Sequence, residues 1–399
     1  MKVVQINVTC GSGSTGNICL SVSELLSYNN VENYIIYSAG SSQYPLAKSY
    51  MSRAETKIEA LKSRVLGNYG FNSKSATKRL ILLLERISPD IVHLHNLHGH
   101  NCNLSMLLDY LTKKNIKIYW TFHDCWSFTG YCTHYDMIGC QKWLTKCEHC
   151  PQKSSYSWFF DKSKKLFEKK KELVSLMNKE QLTVVAPSWW IAKEAKRSFF
   201  KDCEIRVIHN GIDTQVFKPA NSDIKKEYGC YGKYLVLGVA YIWNNRKGLD
   251  VFYRLAKSLP DDYRIILVGL INIGKADIPD NIITINRTSN VERLTELYTE
   301  ADVFVNPTRE EVLGLTNLEA LACGTPVVTF NTGGCPECVN EKCGYIVDKD
   351  DYSALEQSIR KVCEEKPFNS FDCIEQASRF EKRNQFQKYI DMYREGQSV

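Results

Sequence analysis

Two glutamates, Glu311 and Glu319, stand in the stretch 307–328 with Gly314-Leu315-Thr316 between them. A carboxylate can accept hydrogen bonds from a pair of hydroxyls, so this pair suits a sugar at one end and a ribose at the other. Gly314 lets the backbone come close to a ligand, and the amides of Leu315 and Thr316 open a helix toward it. Glu319 is flanked by Leu318, Ala320, Leu321 and Ala322, which implies a largely buried helix. A buried carboxylate needs partners, which distinguishes it from an ordinary surface glutamate. Arg246-Lys247-Gly248 closes a loop just before another helical stretch. Two cations at a helix start can clamp a diphosphate; the bland alternative is a solvated basic loop. Thr332-Gly333-Gly334-Cys335-Pro336-Glu337 is a further loop whose glycines free the backbone to meet a ligand.

The first half carries its own candidates. His123-Asp124 follows the strand-like Tyr119–Phe122, where a histidine can donate to a sugar hydroxyl or phosphate oxygen and Asp124 can set its tautomer. Gly11-Ser12-Gly13-Ser14-Thr15-Gly16 matches the dinucleotide-binding pattern. The carboxylate expected at the end of the second strand is missing, since Tyr37-Ser38-Ala39-Gly40 stands there. The turn still offers amides, Gly13 among them, to an anion, and a tight packing turn explains the glycines equally well. His93, His95, His98 and His100 crowd one segment and read as polar lining of a cleft in preference to a metal site. Cys132, Cys140, Cys147 and Cys150 lie in an aromatic, poorly periodic stretch and suggest a structural four-thiol zinc knuckle; free thiols in a packed loop are the alternative.

These residues need a scaffold, and the patterning supplies one. Short β-branched and aromatic runs alternate with helical stretches: 2–8, 34–37, 91–94, 117–122 and 182–186, then 234–239, 264–268, 282–285, 303–306 and 326–330. Runs apolar on consecutive positions fit parallel strands covered on both faces. The 399 residues predict an α/β protein of two Rossmann-like domains: 1–208, with a Cys-rich insertion at about 125–151, and 209–374. A tail, 375–399, reads as a helix packing back on the first domain. Hydrophobic content is 44% and charged content 24%, as in globular proteins. No signal-peptide core or long apolar span appears, which predicts a cytoplasmic protein. Sixteen cysteines then read as free thiols or metal ligands. The net charge of +6 is spread without a basic stripe interleaved with aromatics, so no nucleic acid partner is expected. The basic stretch Lys162–Lys171 reads first as a solvated helix face and second as peripheral contact with the inner face of an anionic membrane.

Taken together these motifs resemble the retaining GT-B glycosyltransferases of family 4, over nearly the whole chain. The strongest part is the E-x7-E motif from Glu311 to Glu319, with Gly314-Leu315 inside it and Ala322-Cys323-Gly324-Thr325-Pro326 after it. The resemblance implies parallel sheets facing across a cleft and a nucleotide-sugar donor, UDP- or GDP-linked. It implies a glycan or polyprenyl-linked acceptor in capsular, exopolysaccharide or O-antigen assembly. Glu311 would contact the donor sugar, Glu319 the ribose and Lys247 the diphosphate, with His123 and the Gly11–Gly16 loop completing the site. The family usually has an arginine after the strand preceding the lysine. Tyr241 stands there here, and Arg246 is the neighbouring cation. No D-x-D-like pair lies near these motifs, so catalysis requiring no cofactor is expected. An epimerase or phosphorylase on the same architecture, or a non-catalytic nucleotide-sugar-binding protein, are the rival readings.

Overall fold

A computed structural model describes residues 1–271, 278–286 and 290–396. Two compact units divide the chain: Met1–Ile208 with Phe386–Val399, and His209–Gln385. The first contains strands β1 (Lys2–Asn7), β2 (Glu32–Tyr37), β3 (Ala47–Ser49), β4 (Ile91–Leu94), β5 (Lys117–Thr121), β6 (Leu182–Ala186) and β7 (Glu204–Val207). They form one parallel sheet in the order β3-β2-β1-β4-β5-β6-β7. Its helices are α1 (Gly13–Tyr28), α2 (Arg53–Leu66), α3 (Lys74–Ile87), α4 (Leu104–Lys113), α5 (Lys153–Tyr156), α6 (Ser163–Ser175) and α7 (Trp189–Arg197).

The second unit has β8 (Tyr234–Trp243), β9 (Tyr263–Ile271), β10 (Ile282–Ile285), β11 (Val303–Asn306), β12 (Val327–Phe330) and β13 (Gly344–Val347), in the parallel order β10-β9-β8-β11-β12-β13. Its helices are α8 (Ile224–Glu227), α9 (Leu249–Ser258), α10 (Val291–Glu300), α11 (Leu315–Ala322), α12 (Tyr352–Glu365) and α13 (Ser370–Ser378). Successive side chains on a strand point to opposite faces. Leu235 and Leu237 accordingly pack with Phe304, Leu318 and Leu321 on one side of this sheet. Val236 packs with Phe252, Val303 and Val305 on the other. Both faces are buried, which is why these strands read as unbroken apolar runs.

In each sheet the strand order reverses once, between β1 and β4 and between β8 and β11. The loops leaving such adjacent strands diverge and open a crevice at the carboxyl edge, where doubly wound sheets bind ligands. Three strands, β3, β7 and β13, were not among the expected runs. All three are sheet edges with partly exposed faces, so no continuous apolar stretch marks them. The tail expected as one helix is two, α13 and α14 (Lys382–Glu395). Residues 375–385 group with the second unit, and the chain returns to the first only at Phe386. The last three residues of the tail lie outside the described residues.

Candidate active site

In the second unit, Lys247 and Glu311 come from loops 64 residues apart in sequence and meet at the β8/β11 reversal. Lys247 Nζ stands 2.6 Å from Glu311 Oε2, and both side chains are half-buried. The loop after β8 makes a short 3-10 turn, Asn245–Lys247, capped by Asn244 Oδ1, which accepts from Lys247 N at 3.1 Å. Arg246 lies in the same turn and carries no ion pair among the described residues. Its backbone oxygen accepts from Arg309 N at 2.9 Å, tying this turn to the loop after β11.

Arg309 was not singled out in the sequence, yet it is the buried clamp of this corner. Its guanidinium forks onto Asp250 with two 2.8 Å bonds and reaches Asp350 at 2.7 Å and Tyr352 Oη at 3.1 Å. It also donates to Asn245 O. Its position, three residues past the end of β11, was the available signal.

Glu311 Oε1 accepts from Val312 N at 3.1 Å. The loop after β12 presses on the same residue: a Cβ at Gly333 would lie 1.7 Å from Glu311 O, so only glycine fits. Gly314 caps α11 at φ +36°, and Leu315 and Thr316 form the first turn, their amides free of intrahelical partners. Glu319, the helix's fifth residue, accepts from Tyr298 Oη at 2.8 Å. Burial pushes its carboxyl up to about 7, against the opposing pull of that hydroxyl. Glu337, beyond the two glycines, pairs with His209 Nε2 at 2.9 Å.

In the first unit, Gly13 opens α1 at φ +68° and His123 follows β5. Asp124 does not set the His123 tautomer as the sequence suggested. Its carboxylate takes His98 Nε2 at 3.0 Å and Trp126 N at 2.8 Å. Burial alone would raise the Asp124 carboxyl, but these partners hold it below its usual range. The partner of His123 Nε2 is His95 Nδ1, at 3.0 Å. His95 Nε2 in turn lies 3.1 Å from Gln5 Oε1, and Gln5 Nε2 donates to Cys19 O at 3.0 Å. That last bond fixes the amide, because its nitrogen must face the carbonyl. Gln5 Oε1 therefore accepts from His95 Nε2–H, and His95 Nδ1 accepts from His123 Nε2–H. Burial lowers the His95 ring well below its usual pKa and His123 to about 4, so both are neutral near pH 7. Neutral His123 then presents Nδ1 as an acceptor, where the sequence had suggested a donor. His93 and His95 lie with ring centroids 4.0 Å apart; His93 bonds Thr121 and Tyr393.

In the insertion, Cys150, Cys147 and Cys140 all lie near enough to act on the Cys132 thiol. Cys132 and Cys150 Sγ are 3.9 Å apart, and Cys147 Sγ accepts from Gly130 N at 3.2 Å. Two thiolates on one tetrahedral zinc, each about 2.3 Å from it, would be spaced about this far. Among the described residues, however, no three Cys, His, Asp or Glu side chains, Cys140 included, are grouped to hold a metal. Aromatic packing orders this insertion: Trp143 lies 5.0 Å from both Phe128 and Tyr135, and Tyr131 stacks on Tyr156 at 5.7 Å.

Residues 31–216 match Glycosyltransferase Family 4, and residues 221–389 match Glycosyl transferases group 1. The chain is a glycosyltransferase built of a family 4 domain and a group 1 domain. The two matches are separated by four residues near the division between the two units, and together they contain every candidate residue that the sequence singled out except the Gly11–Gly16 loop. The enzyme is 24% identical over 372 residues to the putative colanic acid biosynthesis glycosyl transferase WcaC of Escherichia coli, covering 90% of each chain. It is 29% identical over 198 residues to the lipopolysaccharide core biosynthesis mannosyltransferase LpsB of Rhizobium meliloti, covering 44% of this chain and 56% of that one. Its fold is that of sucrose-phosphate synthase from Thermosynechococcus elongatus, with TM-score 0.71, 16% identity and coverage of 99% and 98%. It is also that of HepE from Anabaena solved with UDP and glucose, with TM-score 0.67, 14% identity and coverage of 99% and 100%.

Proposed function

We propose that this glycosyltransferase moves a sugar from a nucleoside-diphosphate donor, with retained anomeric configuration, to a growing surface glycan. The observation that carries the reading is the Lys247–Glu311 pair at the strand-order reversal of the second sheet. In the free protein the two charges satisfy each other. A donor would separate them: its diphosphate takes Lys247, and its sugar hydroxyls take the released Glu311 carboxylate. Arg246 and the amides of Leu315 and Thr316 add positive potential beside the phosphates. Glu319 then suits the ribose hydroxyls.

The bond from the anomeric carbon to the phosphate oxygen breaks while the acceptor oxygen bonds to that carbon from the same face. The acceptor's proton passes to the departing phosphate oxygen, so no separate base is needed. His123 Nδ1 suits a hydroxyl donor, which places its role in orienting substrate. WcaC and LpsB, by their names, act in polysaccharide and lipopolysaccharide assembly, and HepE binds UDP and glucose. They support a UDP- or GDP-sugar donor and a glycan acceptor carried on a lipid.

A screen of sugar nucleotides by thermal shift and slow hydrolysis tests this, because a bound donor raises the melting temperature without any acceptor. Glu311→Gln is expected to lower turnover about 100-fold or more with an unchanged melting temperature. No stabilisation by any sugar nucleotide, or wild-type turnover in the variant, would overturn the reading.

A further inference from the structure

An apolar, basic surface of the first unit lies outside the candidate site. A helix normally buries its apolar stripe. Helix α2 does not: Ser63 is its only buried residue, while Ile58 and Leu61, one turn apart, are more than half exposed and Leu66 is exposed. The helix is nevertheless firmly built. A capping box joins Ser52 and Glu55 at its start, and Gly67 closes its end in the left-handed region.

Against that end sits an exposed run of three aromatics. Trp158, Phe159 and Phe160 are each more than half exposed. Trp158 N donates to Arg64 O at 2.8 Å, Tyr131 Oη donates to Gly67 O at 2.8 Å and accepts from Lys162 N at 2.9 Å, and Lys162 Nζ reaches Asn68 Oδ1 at 2.9 Å. The aromatic run and α2 are therefore fixed side by side. Helix α6 follows directly. It buries Leu166, Phe167, Lys170 and Val174, which leaves Lys164, Lys165 and Lys171 exposed.

The charge of this region is distinctive. With buried Lys170 set aside, residues 53–66 and 153–171 hold ten Lys and Arg against four Asp and Glu. Their excess equals the +6 of the whole chain, so the remainder is neutral in sum. Indole and phenyl rings settle at the boundary between headgroups and acyl chains, and nearby lysines draw the surface to anionic lipid. No described helix is long and apolar enough to cross a membrane, so attachment through this face would be peripheral. We propose that Trp158, Phe159, Phe160 and the exposed face of α2 dock the enzyme on an anionic phospholipid bilayer. The docking does not depend on the reading of the donor site.

The purified full chain is tested by co-sedimentation with phosphatidylcholine vesicles, with and without phosphatidylglycerol, at low salt and at about 0.5 M salt, where surface charge is screened. Binding is expected only to the phosphatidylglycerol vesicles and only at low salt. The triple variant Trp158→Ala, Phe159→Ala, Phe160→Ala should bind at least tenfold more weakly, and Lys164→Glu with Lys165→Glu likewise. Both should keep the wild-type melting temperature and donor hydrolysis, since these side chains face solvent. Absence of wild-type binding, or undiminished binding by both variants, overturns the proposal. So does lipid-free self-association of the wild type that the triple variant abolishes, which would make this face an interface between copies.

Discussion

At the scale of single residues, the environment of each acid or base decides what it can offer a ligand. The buried relay from Cys19 O through Gln5 and His95 to His123 shows this for a base: the remote carbonyl fixes which nitrogen His123 exposes. Glu319 shows it for an acid. Its carboxyl, raised to about 7 by burial, is only partly ionised near neutrality in the free protein. A ribose donating two hydroxyls to it favours the ionised form and draws its pKa down in the complex. The ligand then binds more tightly above the free pKa than below it. Donor affinity should rise as pH goes from about 6 to 8, by at most tenfold per unit below 7, and level off above. An intact sugar nucleotide does not titrate in that window, so titration calorimetry across it reads the protein. Glu319→Gln should bind more weakly with a flat profile, and an unchanged slope in that variant would remove Glu319 from the ribose site.

At the scale of elements, the loops after β8 and β11 are joined by Arg309, which holds Asp250, Asp350 and the carbonyl of Asn245 at once. Arg309→Met would leave two carboxylates without their fork. Both reach water, so the stability cost should stay near 1–3 kcal/mol. The turn carrying Arg246 and Lys247 would lose its clamp. The donor KM is expected to rise about tenfold with a smaller fall in kcat, because a misplaced cation costs binding geometry first. Arg309→Lys, which keeps charge but not the planar fork, should fall between. Equal KM in wild type and Arg309→Met would make the residue purely structural. Elements of this kind mark what the sequence could and could not reveal. The central strands were legible because burial on both faces leaves an unbroken apolar run, as in Ile91–Leu94 and Val303–Asn306. The loop motifs were legible because Gly314 and the Glu311–Glu319 spacing constrain the backbone locally. Arg309, Gln5 and the edge strand β13 were not, since their meaning comes from partners distant in sequence.

At the scale of the whole molecule, the chain's last helix belongs partly to the first unit. From Phe386 onward α14 contributes Phe386, Tyr389, Ile390, Met392 and Tyr393 to a core with Val3, Ile18, Val22, Ile91 and Val185. Tyr393 is fully buried, with its ring 5.0 Å from Tyr119 and its hydroxyl on His93 Nδ1. Tyr119 Oη in turn donates to Met392 O at 3.0 Å. The first sheet is thus closed by residues 273 positions away from the strand they cover, as in the Tyr119–Met392 bond, and the core of that unit includes α14. Tyr393→Ala removes a buried ring and leaves His93 Nδ1 without its hydrogen-bond partner, at a cost of about 3–5 kcal/mol. The melting transition of the first unit should fall by roughly 2–4 °C for each kcal/mol. The second unit does not contain this side chain, so donor-induced stabilisation of its transition should persist. Calorimetry resolving the two transitions checks both halves of the expectation. Equal displacement of both transitions would mean that the units unfold as one, and an unmoved first transition would mean that α14 adds little to the core it completes.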